Sequence, residues 1–544
     1  MKKFLHVVFA VIIVVVCSNL VAAQENRHGG GIGNGPALKY GNDIIIHSMS
    51  GVDQENVKLA VAFNGWLYTA FTIKDAGANT STGMVRMSKD NGLTWTEIDS
   101  YTISGGQEYY DYEIVVAGTD TNDLVLYVAG LRRNSTSEYI LFLDMYNGRT
   151  GDIIGGSAFF SSRTGKIYDV ALATDYRFPS GLSSPYSVAL TYSTYNPVAD
   201  SLFYAVSIDG GATFANPVLV QATANYYGKV SLSYGRCSNY FNGRYYIAYE
   251  QKKSSLASMG NVFLTHNTTY INGTWTKPKC LDSIEMSYVF GKVCNPKVST
   301  QFNDVDNDSS QFTAIVLMDR AWDSVMNDRD IIGYYNKKAV NTDEWIRFDI
   351  SNSTLTNDIQ SDIKFDPTFN NFLVTYFDST DQKLPYLVQG QNLATPGTWV
   401  TISAKYNDAG GMQAPYPVVE INPLVTKAAF VWSAGQMASG VATFDAEYVD
   451  TGIGESSADN TEQTVYPSPV THIGYLNFTT NAEQDVVAGI YNLSGQKVLD
   501  IANQKFENGN HTLSFDVSTL ESGLYLCKIQ SGSTQKTVKF SVIH

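Results

Sequence analysis

The sequence predicts an all-β protein: a seven-bladed β-propeller, with six blades as the alternative count, followed by a small immunoglobulin-like β-sandwich. Three observations carry this. An apolar, aromatic run recurs seven times, beginning at Gly65, Leu124, Tyr186, Arg244, Phe312, Asn371 and Lys427, at intervals of roughly sixty residues. Short alternating runs between these are punctuated by Gly, Asn, Asp and Ser turn signals. Composition agrees, because 35 Tyr with only 16% charged residues suits pleated, half-exposed surfaces.

At the amino end, Met1-Lys2-Lys3 precedes an apolar run from Phe4 to Val16 and small residues ending in Val21-Ala22-Ala23. A basic start, a short apolar stretch and an A-x-A-like site read as a signal peptide over residues 1–23. The run is too short to span a bilayer, and no later segment is long enough either, so no transmembrane segment is expected. Val16 stands where a lipoprotein cleavage site needs a small residue, which argues against lipidation at Cys17.

The propeller is expected over residues 40–450. Each recurrent run follows another strand, as at Asn56, Gly228 and Asn295, and precedes a third. That third strand often ends in a turn and an aromatic residue: Gly92 to Trp95, Gly211 to Phe214, Gly273 to Trp275, Asp343 to Trp345, Gly397 to Trp399. One such unit cannot bury both faces, whereas a closed ring covers each blade with its neighbours. Ile44-Ile45-Ile46 is expected to complete the last blade beside Val418-Val419-Glu420 and Ala442 to Phe444, removing the open edge. Residues 451–464 read as a flexible acidic linker. Residues 465–544 form the small β domain, with alternating runs such as Val486-Ala488-Ile490 and Thr512-Ser514-Asp516.

Two turns share the pattern S-x-D-x-G-x-T-[WF]: Ser88, Asp90, Gly92, Thr94, Trp95, and Ser207, Asp209, Gly211, Thr213, Phe214. The Asp carboxylate accepts backbone N–H bonds within its own turn, Gly supplies a positive φ, and the aromatic ring packs beneath. These turns resemble the Asp-box, or BNR repeat, of the sialidase superfamily. The resemblance implies boxes on the blade periphery and an architecture rather than an activity. Sialidases also carry an early Phe-Arg-Ile-Pro-like motif, an arginine triad for the substrate carboxylate, a Tyr/Glu nucleophile pair and an acid/base Asp. Here Pro36 to Gly41 stands where that motif belongs, and the nearest look-alike, Tyr176-Arg177-Phe178-Pro179, falls in the third blade.

The tail carries its own signature. Val465 to Val470 includes Pro467 and Pro469; Ile490 to Val498 includes Tyr491, Gly495 and Lys497; Ser522 to Tyr525 includes Gly523 and Tyr525; a Lys-punctuated strand closes the chain. This order resembles the type A C-terminal sorting domain of the type IX secretion system of Gram-negative bacteria. The resemblance implies type IX secretion machinery as a partner and delivery beyond the outer membrane. It also implies loss of the tail, with surface attachment or release.

A net charge of −15 offers nucleic acid no basic footprint. Only His47 and His266 occupy the body, which disfavours a Ser-His-Asp site or a histidine metal site. Cys280 and Cys294 would close a short disulfide loop, adding about 3 kcal/mol, while Cys237 and Cys527 are expected unpaired. Asp304, Asp306 and Asp308 have an alternating spacing that admits calcium, although the Gly and distal Glu of a calcium loop are missing and a polar hairpin is the alternative. No other cofactor is implied.

Ligands of propellers enter where inner strands meet the channel mouth. The ends of the recurrent runs place Arg132, Arg133, Glu250, Asp319 and Arg320 there, and the starts of the preceding strands place Asp111, Glu113, Asp169 and Tyr227. Paired carboxylates in this set would suit glycosidic chemistry, against solvated rim charges as the alternative. The expected function is a non-catalytic module binding extracellular glycan or protein. A sialidase-like hydrolase or lyase acting on extracellular glycans is the alternative, and a surface-layer component without a small ligand is the third reading.

Overall fold

The computed structural model describes residues 38–542 apart from short stretches, the longest being 176–186, 283–291, 303–311, 390–398 and 450–463. The expected signal peptide, the Arg177-Phe178-Pro179 look-alike and the Asp304, Asp306 and Asp308 loop lie outside the described residues. The chain divides into two compact units, one ending at Tyr448 and the other beginning at Val449.

Among the described residues the first unit contains seven antiparallel sheets. The first blade runs Asp53–Val61, Leu67–Asp75, Thr80–Ser88 and Thr96–Ser104, and its strands pair in chain order. Five further four-stranded sheets repeat this plan, with first strands Glu108–Ala117, Ile167–Thr174, Tyr226–Cys237, Val293–Thr300 and Asp358–Asp366. The seventh has Val418–Asn422, Lys427–Ala434 and Val441–Val449 from the end of the unit. Its outer edge is completed from the start of the unit, where Ile44 pairs with Phe444 and Ile45 with Thr443, and Leu38–Tyr40 also joins the same strand. First strands pack successively beside one another, and Val418–Asn422 beside Asp53–Val61, so the ring is closed. The fold is a seven-bladed propeller.

The recurrent runs are the second strands. They are covered on both faces, and Ala314–Ala321 is buried at every position. Burial on both sides removes the need for a polar alternate residue, so such strands read as nearly continuous apolar runs.

Both S-x-D-x-G-x-T turns close between third and fourth strands. In the first, Ser88 Oγ donates to Asp90 Oδ1 at 2.7 Å, while Thr94 N and Oγ1 donate to the two Asp90 oxygens at 2.9 and 2.6 Å. Ser207, Asp209 and Thr213 repeat the pattern at 2.6, 2.9 and 2.5 Å. Gly92 has φ +87 and Gly211 φ +90, as the turn requires. Each glycine also lies flat on the preceding blade: a Cβ on Gly92 would meet the Phe444 ring at 2.0 Å, and one on Gly211 would meet Met145 Sδ at 2.6 Å. Trp95 adds an edge-on contact to Phe444 at 5.5 Å. The boxes therefore tie neighbouring blades together. Tyrosines of second strands do the same, donating across the gap from Tyr68 to the Gly148 carbonyl (2.6 Å), from Tyr127 to Gly210 (2.8 Å) and from Tyr246 to Ala339 (2.8 Å).

The second unit is a sandwich of a three-stranded sheet (Thr464–Tyr466, Ile473–Thr480, Gly509–Asp516) and a four-stranded sheet (Lys497–Phe506, Gln484–Tyr491, Gly523–Ser531, Thr534–Val542). Phe478, Ile490, Phe515, Tyr525, Cys527 and Phe540 fill its core. Lys528 lies 4.6 Å over the Tyr491 ring, and Lys497 pairs with Asp500 at 2.6 Å. Pro467, Pro469 and Gly495 lie outside the described residues.

The expected Cys280–Cys294 disulfide is not formed, and both residues are thiols. Cys280 sits on the outermost strand of the fourth blade, donating to Asp282, whereas Cys294 is buried on the first strand of the fifth. Thirteen residues of sequence separate Cys280 on the rim of one blade from Cys294 near the centre of the next.

Candidate functional site at the channel mouth

First strands of all seven sheets contribute to one central cavity of about 110 Å³, continuous in its lining with a second of about 110 Å³ at the end where those strands begin. Antiparallel pairing brings the ends of the second strands to the same end, with Tyr109 opposite Arg132 and Cys294 opposite Asp319. This end is the mouth.

A β-bulge recurs here. The register slips at Glu55/Lys58, Tyr109/Asp111, Ile167/Asp169, Tyr227/Val230, Cys294/Lys297 and Ile359/Asp362. Bulges re-aim side chains, and the backbone adopts positive φ at Asn56 (+56°), Asn295 (+51°) and Gln360 (+57°). Tyr416, at the matching place before the last blade, has φ +43.

The charges of the mouth face one another. Lys229 Nζ lies 2.8 Å from Asp169 and 3.1 Å from Asp111, and Val230 N donates to Asp169 at 2.7 Å. Lys58 Nζ is 2.6 Å from Glu113 and 3.8 Å from Asp111. Deeper in the channel, Lys297 pairs with Asp362 at 3.6 Å and Lys364 with Glu420 at 2.5 Å. Asp111 and Asp169 form a coupled pair. Burial drives Asp169 upward, helped by the Asp111 charge and opposed by Lys229. Burial also pushes Asp111 up, but Lys229 and Lys58 outweigh it and hold that carboxyl below its ordinary range.

Behind the mouth two acids are sealed from solvent. Glu250 is 1% exposed and burial raises it to about 7, against the pull of Lys252 at 3.6 Å. Asp319 is fully buried and raised by that burial to about 6, although Gln360 N (3.0 Å) and Asn295 Nδ2 (2.7 Å) donate to it. The same burial raises the Cys294 thiol beside it.

Of the residues anticipated at the mouth, Asp111, Glu113 and Asp169 line it, and Glu250 and Asp319 lie immediately behind. Arg132, Arg133 and Arg320 do not line it. Arg133 pairs with Glu108 at 3.1 Å, and Arg320 stacks on Trp322 at 3.9 Å. Tyr227 is corrected outright: it is 2% exposed in the hydrophobic core, against Tyr249, with its hydroxyl donating to the Gln221 carbonyl. The bulge turns its ring into the blade and gives the mouth position to Lys229.

Lys58, Lys229, Ser361 and Tyr416 line the mouth without having been anticipated. For Lys229 and Tyr416 the signal was a Gly or Pro break at the start of the first strand, Gly228-Lys229 and Pro415-Tyr416-Pro417.

Residues 464–543 match the family described as secretion system C-terminal sorting domain. No curated protein matches the sequence. Among solved structures, the chain is similar to a GH93 α-L-arabinofuranosidase of Fusarium graminearum in complex with arabinobiose. The identity is 9%, with 75% of this chain and 97% of that one covered and a TM-score of 0.42. Polysaccharide lyase Uly1 gives 10%, 78%, 95% and 0.42, and a mutant NanB sialidase from Streptococcus pneumoniae gives 11%, 75%, 71% and 0.40 in the same order. Likeness of this degree says nothing of activity. The sorting domain makes the chain an exported protein, secreted or at the cell surface. No helix among the described residues is long and apolar enough to cross a membrane.

Proposed function

We propose that the mature chain acts outside the outer membrane as a non-catalytic module that binds extracellular glycan at the channel mouth. One observation carries this: the mouth is a concave pocket of mixed polar and apolar lining whose charges are already paired within the protein. Asp111 and Asp169, each 4% exposed, turn onto Lys229 instead of standing across a gap. A glycosidase needs its two carboxyl groups on opposite sides of the scissile bond. No arginine lines the mouth among the described residues, so the bidentate fork that fixes a sugar carboxylate is missing there. What remains is an arrangement of amides, a hydroxyl and an aromatic ring, the chemistry of orientation without turnover. A protein ligand is less well served, because interface centres are built from broad apolar anchors.

The test is a glycan array probed with the mature protein, followed by overnight incubation with each bound glycan. Retention without new reducing ends or unsaturated products supports the proposal. An array without a single bound glycan defeats it.

A hydrolase or lyase is favoured by one feature, the opposed pKa displacements of Asp111 and Asp169, since such pairs divide acid and base roles. Product formation lost in Asp169→Asn would establish that reading instead.

A further inference from the structure

We infer that the ligand of the mouth is an uncharged sugar, and that Tyr416 is the platform on which its ring stacks. The inference rests on the glycan-binding reading and names the class of glycan.

Tyr416 is an unusual residue by conformation. A bulky aromatic side chain at φ +43 is a steric outlier, and the following Pro417 should push it towards extended backbone. The chain nevertheless holds it there: Tyr416 N donates to Gln360 Oε1 at 3.1 Å, and the carbonyl of Pro415 accepts from Ser433 N at 3.0 Å. Pro415 and Pro417 are buried on either side, while Tyr416 is 46% exposed. Outliers that the surroundings enforce concentrate at ligand clamps. Here the result is a ring on the lining of a cavity shared with Asn56, Asp111, Asp169, Lys229 and Ser361. An aromatic face presented beside hydrogen-bonding groups suits a sugar ring, whose C–H face is apolar and whose edge is hydroxylated.

Two further observations decide the charge of that sugar. Lysines of the mouth are spoken for, since Lys229 bridges Asp111 and Asp169, Lys58 bridges Asp111 and Glu113, and Lys297 pairs with Asp362 at 3.6 Å. A uronic or sialic carboxylate would have to displace a buried carboxylate to gain a cation, and buried partners are costly to strand. Ser361 points the other way. It is 2% exposed and lines the mouth, and its hydroxyl has no hydrogen-bond partner. A lone neutral donor and acceptor at the bottom of a pocket matches a ligand hydroxyl. The amides beside it are already immobilised, Asn56 by donating to the Tyr110 carbonyl at 3.0 Å and Asn295 by donating to Asp319. The pocket is thus arranged before the ligand arrives.

The experiment uses affinity electrophoresis of the full mature chain in gels containing a neutral polysaccharide (xyloglucan, galactan or dextran) or an anionic one (polygalacturonate or alginate). Wild type is expected to be retarded by at least one neutral probe and by neither anionic one. Tyr416→Phe should keep that retardation. Tyr416→Gly should weaken it at least tenfold while leaving the melting temperature unchanged or higher, because glycine accepts the positive φ and a folding defect is thereby excluded. Ser361→Ala should weaken it several-fold. Retardation by anionic probes alone overturns the inference and leaves glycan binding standing, as does a Tyr416→Gly variant that binds like wild type. Retardation by no probe overturns both.

Discussion

Glu250→Gln should stabilise the propeller in alkaline solution and leave it unchanged in acid. Glu250 is 1% exposed; Oε1 has no hydrogen-bond partner, and Oε2 meets only Lys229 N at 3.4 Å and Lys252 Nζ at 3.6 Å. Burial accordingly lifts the carboxyl from 4.5 to about 7. A carboxyl raised on folding binds its proton more tightly in the folded state. Its contribution is fully present below about 4.5 and lost as pH rises through about 7. At 1.36 kcal/mol per pH unit, the loss above pH 8 is about 3 kcal/mol. Glutamine keeps the shape without the charge, so the variant should match wild type at about pH 4 and exceed it by about 3 kcal/mol near pH 9. Urea unfolding followed by tryptophan fluorescence measures this cleanly, because all seven tryptophans lie in the first unit. Glu420, Asp358 and Asp319 are raised in the same way and give both proteins a common downward slope. Only the difference reports Glu250. Parallel pH profiles for the two proteins would refute the reasoning, since they would mean that Glu250 carries the same charge folded and unfolded.

Gly92→Ala should cost more than 3 kcal/mol, from a left-handed backbone worth about 1–2 kcal/mol and a Cβ driven into Phe444. Gly51→Ala, at φ +79 with open space around it, should lose only about 1–2 kcal/mol in the same urea assay. Asp209→Ala removes the acceptor of the second box and should lose about 1–2 kcal/mol by urea midpoint. Hydrogen bonds from Ser207 and Thr213 hold Asp209 down to about 2. A lowered carboxyl stabilises above its unfolded pKa and loses that contribution only as pH falls through about 2, so the deficit should be flat from pH 5 to 8. A chain ending before Thr464 should be retained inside the outer membrane, as cell fractionation would show; its appearance in the medium would contradict export through the sorting domain.

Much of the propeller was legible because its second strands are buried on both faces, which leaves a long apolar run at each repeat. The closing pair at Ile44 and Ile45 was legible for a topological reason, since a ring with an open edge needs a partner for Phe444 and Thr443. The mouth was only half legible. Their position at the starts of first strands brought Asp111, Glu113 and Asp169 to the mouth, but one extra residue in a bulge reverses which side chains face the channel. That reversal sent Tyr227 into the core and brought Lys229 to the mouth. Tyr416 was hidden for another reason: nothing in Pro415-Tyr416-Pro417 announces a positive φ, which comes from Gln360 and Ser433 in other strands. Arg133 and Arg320 failed on local competition, the first paired with Glu108 and the second stacked on Trp322.

Hydroxyl-radical footprinting of the mature protein, with and without a saturating neutral glycan, would locate the ligand directly. Tyr416 should lose most of its oxidation on binding, while Tyr101, 61% exposed on an outer strand, and Trp322, 39% exposed beside Arg320, should keep theirs. Protection of Tyr101 with Tyr416 unchanged would place the ligand on the outer blade surface and contradict binding at the channel mouth.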